Sequence, residues 1–314
     1  MKWDRLIDRM FTAVMCLSMA LIMLLIACIL IPILVNGAGV ISRSFLFESP
    51  RQGMTEGGIF PAIFGTVSLV FLMILIAMPI GICTAIYLVE YAKEGYITRI
   101  IKAGVSNLAG VPSIVFGLFG LGFFILFIGR HLDEVLSTGM LFGKPAMLWA
   151  AMTLAVLVLP LIIVSTQEAL SAVPWSYREA SYALGATKWK TIFLVVLSQA
   201  RAGILTGAIL SVSRGAGETA PILFTGCAYF LPRLPVVNFK VPLLNLELPV
   251  INPMDQFMEL SYHIYIMATQ SINVQKTLPI QYGTTLVLLG ITFLLNIGAI
   301  VLRSRYRRRL KKSM

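Results

Sequence analysis

Charge is what this chain has least of. Only 12% of its 314 residues are Asp, Glu, Lys or Arg, against roughly 25% in ordinary soluble domains. With 58% hydrophobic residues and a mean hydropathy of +0.88, the chain has lipid as its main solvent. Histidine is nearly missing: His131 and His263 stand far apart. The four cysteines, Cys16, Cys28, Cys83 and Cys227, form no CxxC, which argues against a disulfide framework or a zinc site by spacing. No HExxH, paired Cys/His set or GxSxG occurs, so neither a metal site nor a catalytic residue is expected, and a membrane hydrolase would lack its nucleophile and base. No G-x-x-x-x-G-K-[ST] phosphate loop occurs either. The chain is therefore expected to bind no cofactor and not to hydrolyse ATP itself by that route. Gly/Ser-rich and Pro-rich linkers are missing too, so residues 1–314 read as one all-α membrane domain.

What the chain does have is long apolar runs. About 20 apolar residues are needed to span the hydrocarbon core as a helix. Six runs qualify: Met10 to Val35, Gly57 to Val89, Ala103 to Gly129, Pro145 to Gln167, Ala202 to Tyr229, and Thr277 to Leu302. The first (10–35) is longer than a signal-peptide core and lacks an A-x-A-like site, so it is expected to stay as a helix. Residues 57–302 form the expected core. Pro79 and Pro160 lie deep in their runs, where each should kink its helix or need a neighbour for the carbonyl it frees.

The net charge of +11 suggests nucleic acid at first sight. The basic residues flank apolar runs, however, and nucleic acid is not an expected partner. The N-terminus, Glu90–Lys102, Glu168–Arg201 and the C-terminal tail hold 3, 3, 4 and 7 Lys/Arg, and the alternate loops hold 2, 2 and 3. That bias predicts both termini in the cytoplasm, with the tail RSRYRRRLKK at the lipid headgroups.

The chain is organised around residues 174–225. Its first part, 174–200, is polar. Ser176 and Glu179 fit a capping box, Gly185 suits a left-handed turn, and Thr187 can cap a second helix. The expectation is a helix–turn–helix on the cytoplasmic surface, either bound to a partner or a plain amphipathic loop. The second part is apolar but carries Arg214 and Glu218, four residues apart and so on one helix face. Counting from Arg201, Arg214 is predicted about 20 Å into the membrane. Ser211, Ser213 and Thr219 extend the polar patch. Gly215 and Gly217 permit close approach to the backbone, and the GxxxG at Gly203 and Gly207 permits helix packing. The charges fit a translocation path, in which Arg214 offers an oxyanion a planar fork of donors. They also fit a structural ion pair. The long outer loop, 228–276, carries Pro232, Pro235, Pro242, Pro249 and Pro253, so its first half is not one helix. A short helix over Asp255–Gln270, capped by Asp255 or Asn252, is expected after it.

These residues resemble a known family. EASYALGATKWKTIFLVVLS is similar to the EAA loop of ABC importer permeases: EAA, three residues, Gly, nine residues, then I-x-L-P. Glu179, Ala180 and Ser181 fill EAA, Gly185 keeps its spacing, and Val195, Leu197 and Ser198 stand where I, L and P are usual. Ser181 and Ser198 are the departures. GGIFPAIFGT, PIGICTAIYLVEY, VPSIVFGLFG and SRGAGETAPILFT resemble the phosphate-specific (Pst) permeases of PstA type. The resemblance implies a MetI-like permease fold in the cytoplasmic (inner) membrane of a prokaryote. It implies a different, PstC-type second permease, two ATPase subunits that use ATP, and a periplasmic or extracellular phosphate-binding protein. By this resemblance 174–200 is the coupling loop, with Glu179, Ala180, Gly185, Lys188 and Lys190 coupling to the ATPase. Arg214, Glu218, Ser213, Thr219, Gly215 and Gly217 line the substrate path. A permease for molybdate or sulfate, and a non-transporting scaffold or sensor adaptor, are the alternatives.

Overall fold

A computed structural model of the chain describes residues 2–241, 246–271 and 273–312. Pro242 and the basic side chains after residue 305 lie outside the described residues, and with them part of the tail expected at the headgroups. Among the described residues, six helical stretches are long and apolar enough to cross a membrane. These are Ile7–Ala38, Phe60–Tyr91, Ser113–Leu136, Met147–Ser171, Lys188–Gly215 and Val274–Arg305.

The first stretch is α1 (Lys2–Ala38). A short α2 (Arg43–Phe47) and the two-residue strands β1 (Pro50–Arg51) and β2 (Glu56–Gly57) follow. The second stretch joins α3 (Phe60–Ile86) to a π-helical segment, Tyr87–Tyr91. α4 (Tyr96–Leu108) is separate. The third stretch is α5 (Ser113–Phe119), a π segment Gly120–Gly129 and α6 (Arg130–Leu136). α7 (Met147–Ser171) is the fourth. α8 (Trp175–Ala183) follows, its buried Arg178 and Ser181 touching Glu90 and Thr191. The single turn α9 (Lys188–Lys190), a π segment Thr191–Val196 and α10 (Leu197–Gly215) make the fifth. After the one-turn α11 (Ala220–Leu223) come the antiparallel strands β3 (Val236–Val241) and β4 (Leu246–Ile251), paired from Val236↔Ile251 to Val241↔Leu246. α12 (Leu260–Gln270) and α13 (Val274–Lys312) complete the chain.

α3 and α7 form the centre. Met73 and Ala77 of α3 and Leu154 and Val158 of α7 are fully buried. In lipid, apolar faces gain little by merely meeting, so close packing of small residues decides which helices pair. A Cβ on Gly81 would stand 2.6 Å from Ile162 Cγ2. α10 docks on the other side of α7 through the predicted glycine pair. A Cβ on Gly203 would stand 2.4 Å from Ala169 Cβ, and one on Gly207 would stand 1.9 Å from Ser165 Oγ. α1 packs along α13 and is otherwise exposed, as a lipid-facing helix should be. Pro79 and Pro160 are absorbed inside continuous helices.

Several expectations are corrected. The third run does not start at Ala103: Gly110, Val111 and Pro112 break the chain, and α4 is an amphipathic helix outside the span. The fifth run starts earlier and stops earlier than Ala202–Tyr229. Its helix ends at Gly215, so Arg214 sits in the last turn rather than mid-helix, and Glu218 lies beyond the helix end. The expected second surface helix is the first turn of this span. No capping box forms: Pro174 is the N-cap of α8, without a side-chain cap, and Ser176 and Glu179 are exposed within the helix. α12 starts five residues after Asp255, and Glu259 caps it by accepting from the Tyr262 N–H. The first half of the outer loop is, as expected, not one helix but the β3–β4 hairpin.

Candidate functional site

Two polar clusters lie at opposite ends of the bundle. We call the end with α8 the lower end, and the end with α12 the upper.

At the upper end, α10 stops where Gly215 meets α3, its missing Cβ leaving room for the Met73 side chain. The stop presents Arg214 at the helix terminus, where its charge favourably faces the negative end of the helix dipole. Arg214 Nε donates to Glu218 Oε1 at 3.4 Å, and the two side chains are 40% and 20% exposed. Among the described residues, the terminal nitrogens of Arg214 make no hydrogen bond. Ser213 Oγ donates to Asn296 Oδ1 of α13 at 2.6 Å. Gly217 is exposed, with open space where a Cβ would project.

Thr219 turns inward. Its Oγ1 donates to Ser261 Oγ (2.9 Å), and Ser261 donates to Glu259 Oε2 (2.5 Å). The Thr66 hydroxyl of α3 donates chiefly to the Ala62 carbonyl (2.8 Å), makes a long 3.5 Å contact to the other oxygen of Glu259, and accepts from the Leu260 N–H. Glu259 is 2% exposed. Burial pushes its carboxyl up to about 6, although hydrogen bonds from Ser261, Tyr262 and Thr66 pull the other way. The structure thus brings Arg214, Glu218, Ser213 and Thr219 to one end, and adds Glu259, Ser261, Thr66 and Asn296. Asn296 carries a readable signal, an amide set in the apolar stretch LGITFLLNIGAIVL of its helix. Glu259 carries none, because Glu is not a favoured N-cap.

At the lower end, α8 presents two faces. Trp175, Glu179, Ala180, Tyr182 and Leu184 are exposed, with Leu184 at 89%. Arg178 and Ser181 are buried. Gly185 follows at φ +80°, the left-handed turn read from sequence. Thr187 caps α9 by accepting from the Lys190 N–H at 3.4 Å. Ser181, where Ala is usual, shares a hydrogen bond with Thr191 Oγ1 at 2.9 Å, so this departure fills a polar contact. Lys190 is exposed, whereas Lys188 folds back: its Nζ donates to the Glu90 carbonyl and lies 4.5 Å from the Tyr91 ring centroid.

Comparison with known proteins bears on both clusters. The chain is 37% identical over 195 residues to "Phosphate transport system permease protein PstA 1" of Mycobacterium tuberculosis (strain CDC 1551 / Oshkosh), covering 61% of this chain and 60% of that protein. It is 35% identical over 199 residues to "Phosphate transport system permease protein PstA" of Pasteurella multocida (strain Pm70), covering 63% and 65%. The chain thus spans less than two thirds of the length of these relatives. In fold it is similar to a solved bacterial ABC transporter involved in the import of the acidic polysaccharide alginate. The TM-score is 0.66, at 14% identity, covering 97% of this chain and 99% of that one. The helical ABC importer permease architecture expected from the sequence is therefore the one observed. A family model described as "Binding-protein-dependent transport system inner membrane component" matches residues 77–312, which include α8, Arg214 and Glu218; the chain belongs to that family.

Proposed function

We propose that this chain is a membrane-spanning subunit of an ATP-driven importer of inorganic phosphate. It is not itself an ATPase. It forms the path with a second, different permease chain. Two ATPase subunits dock on α8 and spend the ATP, and a periplasmic or extracellular phosphate-binding protein delivers the anion at the upper end. The upper end then faces outward, and both termini lie in the cytoplasm of a prokaryotic cell with this protein in its inner membrane. The charge bias of the loops supports that orientation.

One observation carries the substrate reading. Arg214 stands at the end of a membrane helix with its ion pair on Nε only. Its two terminal nitrogens remain for an oxyanion, in the geometry that suits bidentate contact. Glu218 holds the guanidinium in place and competes with the anion, which keeps binding weak enough for release. Gly217 leaves the approach unobstructed. Ser213 and Thr219 fix the ends of this strip through α13 and α12. Sequence similarity to PstA proteins favours phosphate over molybdate or sulfate.

The test is labelled phosphate uptake in phosphate-starved cells lacking this chain, complemented with wild type or Arg214→Ala at matched membrane levels. Wild type is expected to restore uptake, and Arg214→Ala to lose at least tenfold. Equal restoration by both would make Arg214 a structural residue. Failure of both would turn the question to molybdate and sulfate, then to a scaffold or sensor adaptor.

A further inference from the structure

We propose that Arg178 and Glu90 form the mechanical joint that carries displacement of α8 into the membrane helices. The inference rests on the reading of α8 as the docking element for an ATPase. Arg178 lies on the buried face of α8, and both partners' side chains are 4% exposed. Its Nη2 and Nε donate to one oxygen of Glu90, at 2.7 and 3.2 Å. Glu90 belongs to the π segment that ends the second span. The same guanidinium donates from Nη1 to the Val173 carbonyl (2.9 Å) and from Nη2 to the Leu170 carbonyl (3.1 Å). The Leu170 carbonyl belongs to the last turn of α7, where it also accepts from the Val173 N–H at 3.3 Å, and Val173 lies just beyond the helix.

One side chain therefore grips the ends of both central helices. Glu90 is held a second time, because Lys188 from the far side of the Gly185 turn donates to its carbonyl. Ser181, one turn after Arg178, meets Thr191 at the base of the span that carries Arg214. A push on the exposed face of α8 thus reaches α3, α7 and α10 together. At its upper end, α3 supplies Thr66 to the Glu259–Ser261–Thr219 chain beside Glu218. The two polar clusters are linked by helices rather than by loops. Removing one partner of a buried pair outright leaves an uncompensated group, but Glu90→Gln still offers an acceptor, and the Val173 and Leu170 carbonyls still hold the guanidinium.

Glu90→Gln keeps the shape and removes the charge; Glu90→Asp keeps the charge and shortens the reach. Each is placed in the full complex, with its partner permease, ATPase and binding-protein chains, in proteoliposomes. Assembled complex, basal ATP hydrolysis and inorganic phosphate moved per ATP are measured. The expected result is assembly and basal hydrolysis within about twofold of wild type, with phosphate per ATP lowered at least fivefold in Gln and less in Asp. Wild-type phosphate per ATP in both variants would overturn the joint. So would transport that falls only in step with the amount of complex, or a failure of both variants to assemble, since each assigns the pair to folding alone. A wild-type complex that hydrolyses ATP and moves no phosphate would instead overturn the transport reading, and the joint with it.

Discussion

Glu259 is a carboxylate that the fold has placed almost out of water. Burial holds its pKa near 6, above the ordinary 4.5. Between those values the folded state binds more protons than the unfolded one. Stability therefore falls as pH rises from about 4.5 through about 6, and is level above. The size is about 2 kcal/mol. Glu259→Gln is expected to flatten this slope, measured as thermal unfolding of the detergent-solubilised protein from pH 4.5 to 7. Gly185 poses a different demand. At φ +80° a β-branched side chain is strained, so Gly185→Val should disturb the turn after α8 by roughly 1–3 kcal/mol while leaving the membrane core intact. The expected outcome is normal insertion with phosphate uptake reduced at least fivefold. Full uptake at normal expression would sink the coupling role of this turn.

At the scale of elements, the α7–α10 contact depends on two missing side chains. Gly207→Leu must push Ser165 away or separate the helices. Overpacking of this kind costs typically 1–3 kcal/mol, and the expected readout is loss of folded monomer on gel filtration in detergent. Thr187→Ala removes one cap from a single turn, costs about 1 kcal/mol, and should leave the protein folded. Elements were also where reading by residue type worked and failed for identifiable reasons. The spans were legible because twenty apolar residues in a row have few other uses. Gly185 and Thr187 were legible because a left-handed turn and an N-cap each admit few residue types. The start of the third span is not legible because the end of α4 after Lys102, residues 103–108, carries no charge and so runs on into the apolar stretch. The end of the fifth was misjudged because the apolar residues after Gly217 continue as a turn and a loop at the same hydropathy. Arg178 carries no signal in sequence, because its partner Glu90 lies 88 positions away and only the fold brings the two together.

At the scale of the whole molecule, the proposed function has the lower cluster take up displacement and the upper cluster meet the anion, with α3, α7 and α10 between them. α1 stands apart from this arrangement. None of its most apolar window is buried, and it leans on α13 rather than on the central pair. Its deletion should therefore leave the packing of α3, α7 and α10 intact while changing something less visible, the parity of the membrane crossings. Five crossings in place of six put the two chain ends on opposite faces. A ribosome-bound chain beginning at α3 would have to choose its direction without Lys2, Arg5 and Arg9 ahead of its first crossing. By the positive-inside rule, the basic residues ahead of this peripheral helix are then expected to bias which way round the spans after it are threaded.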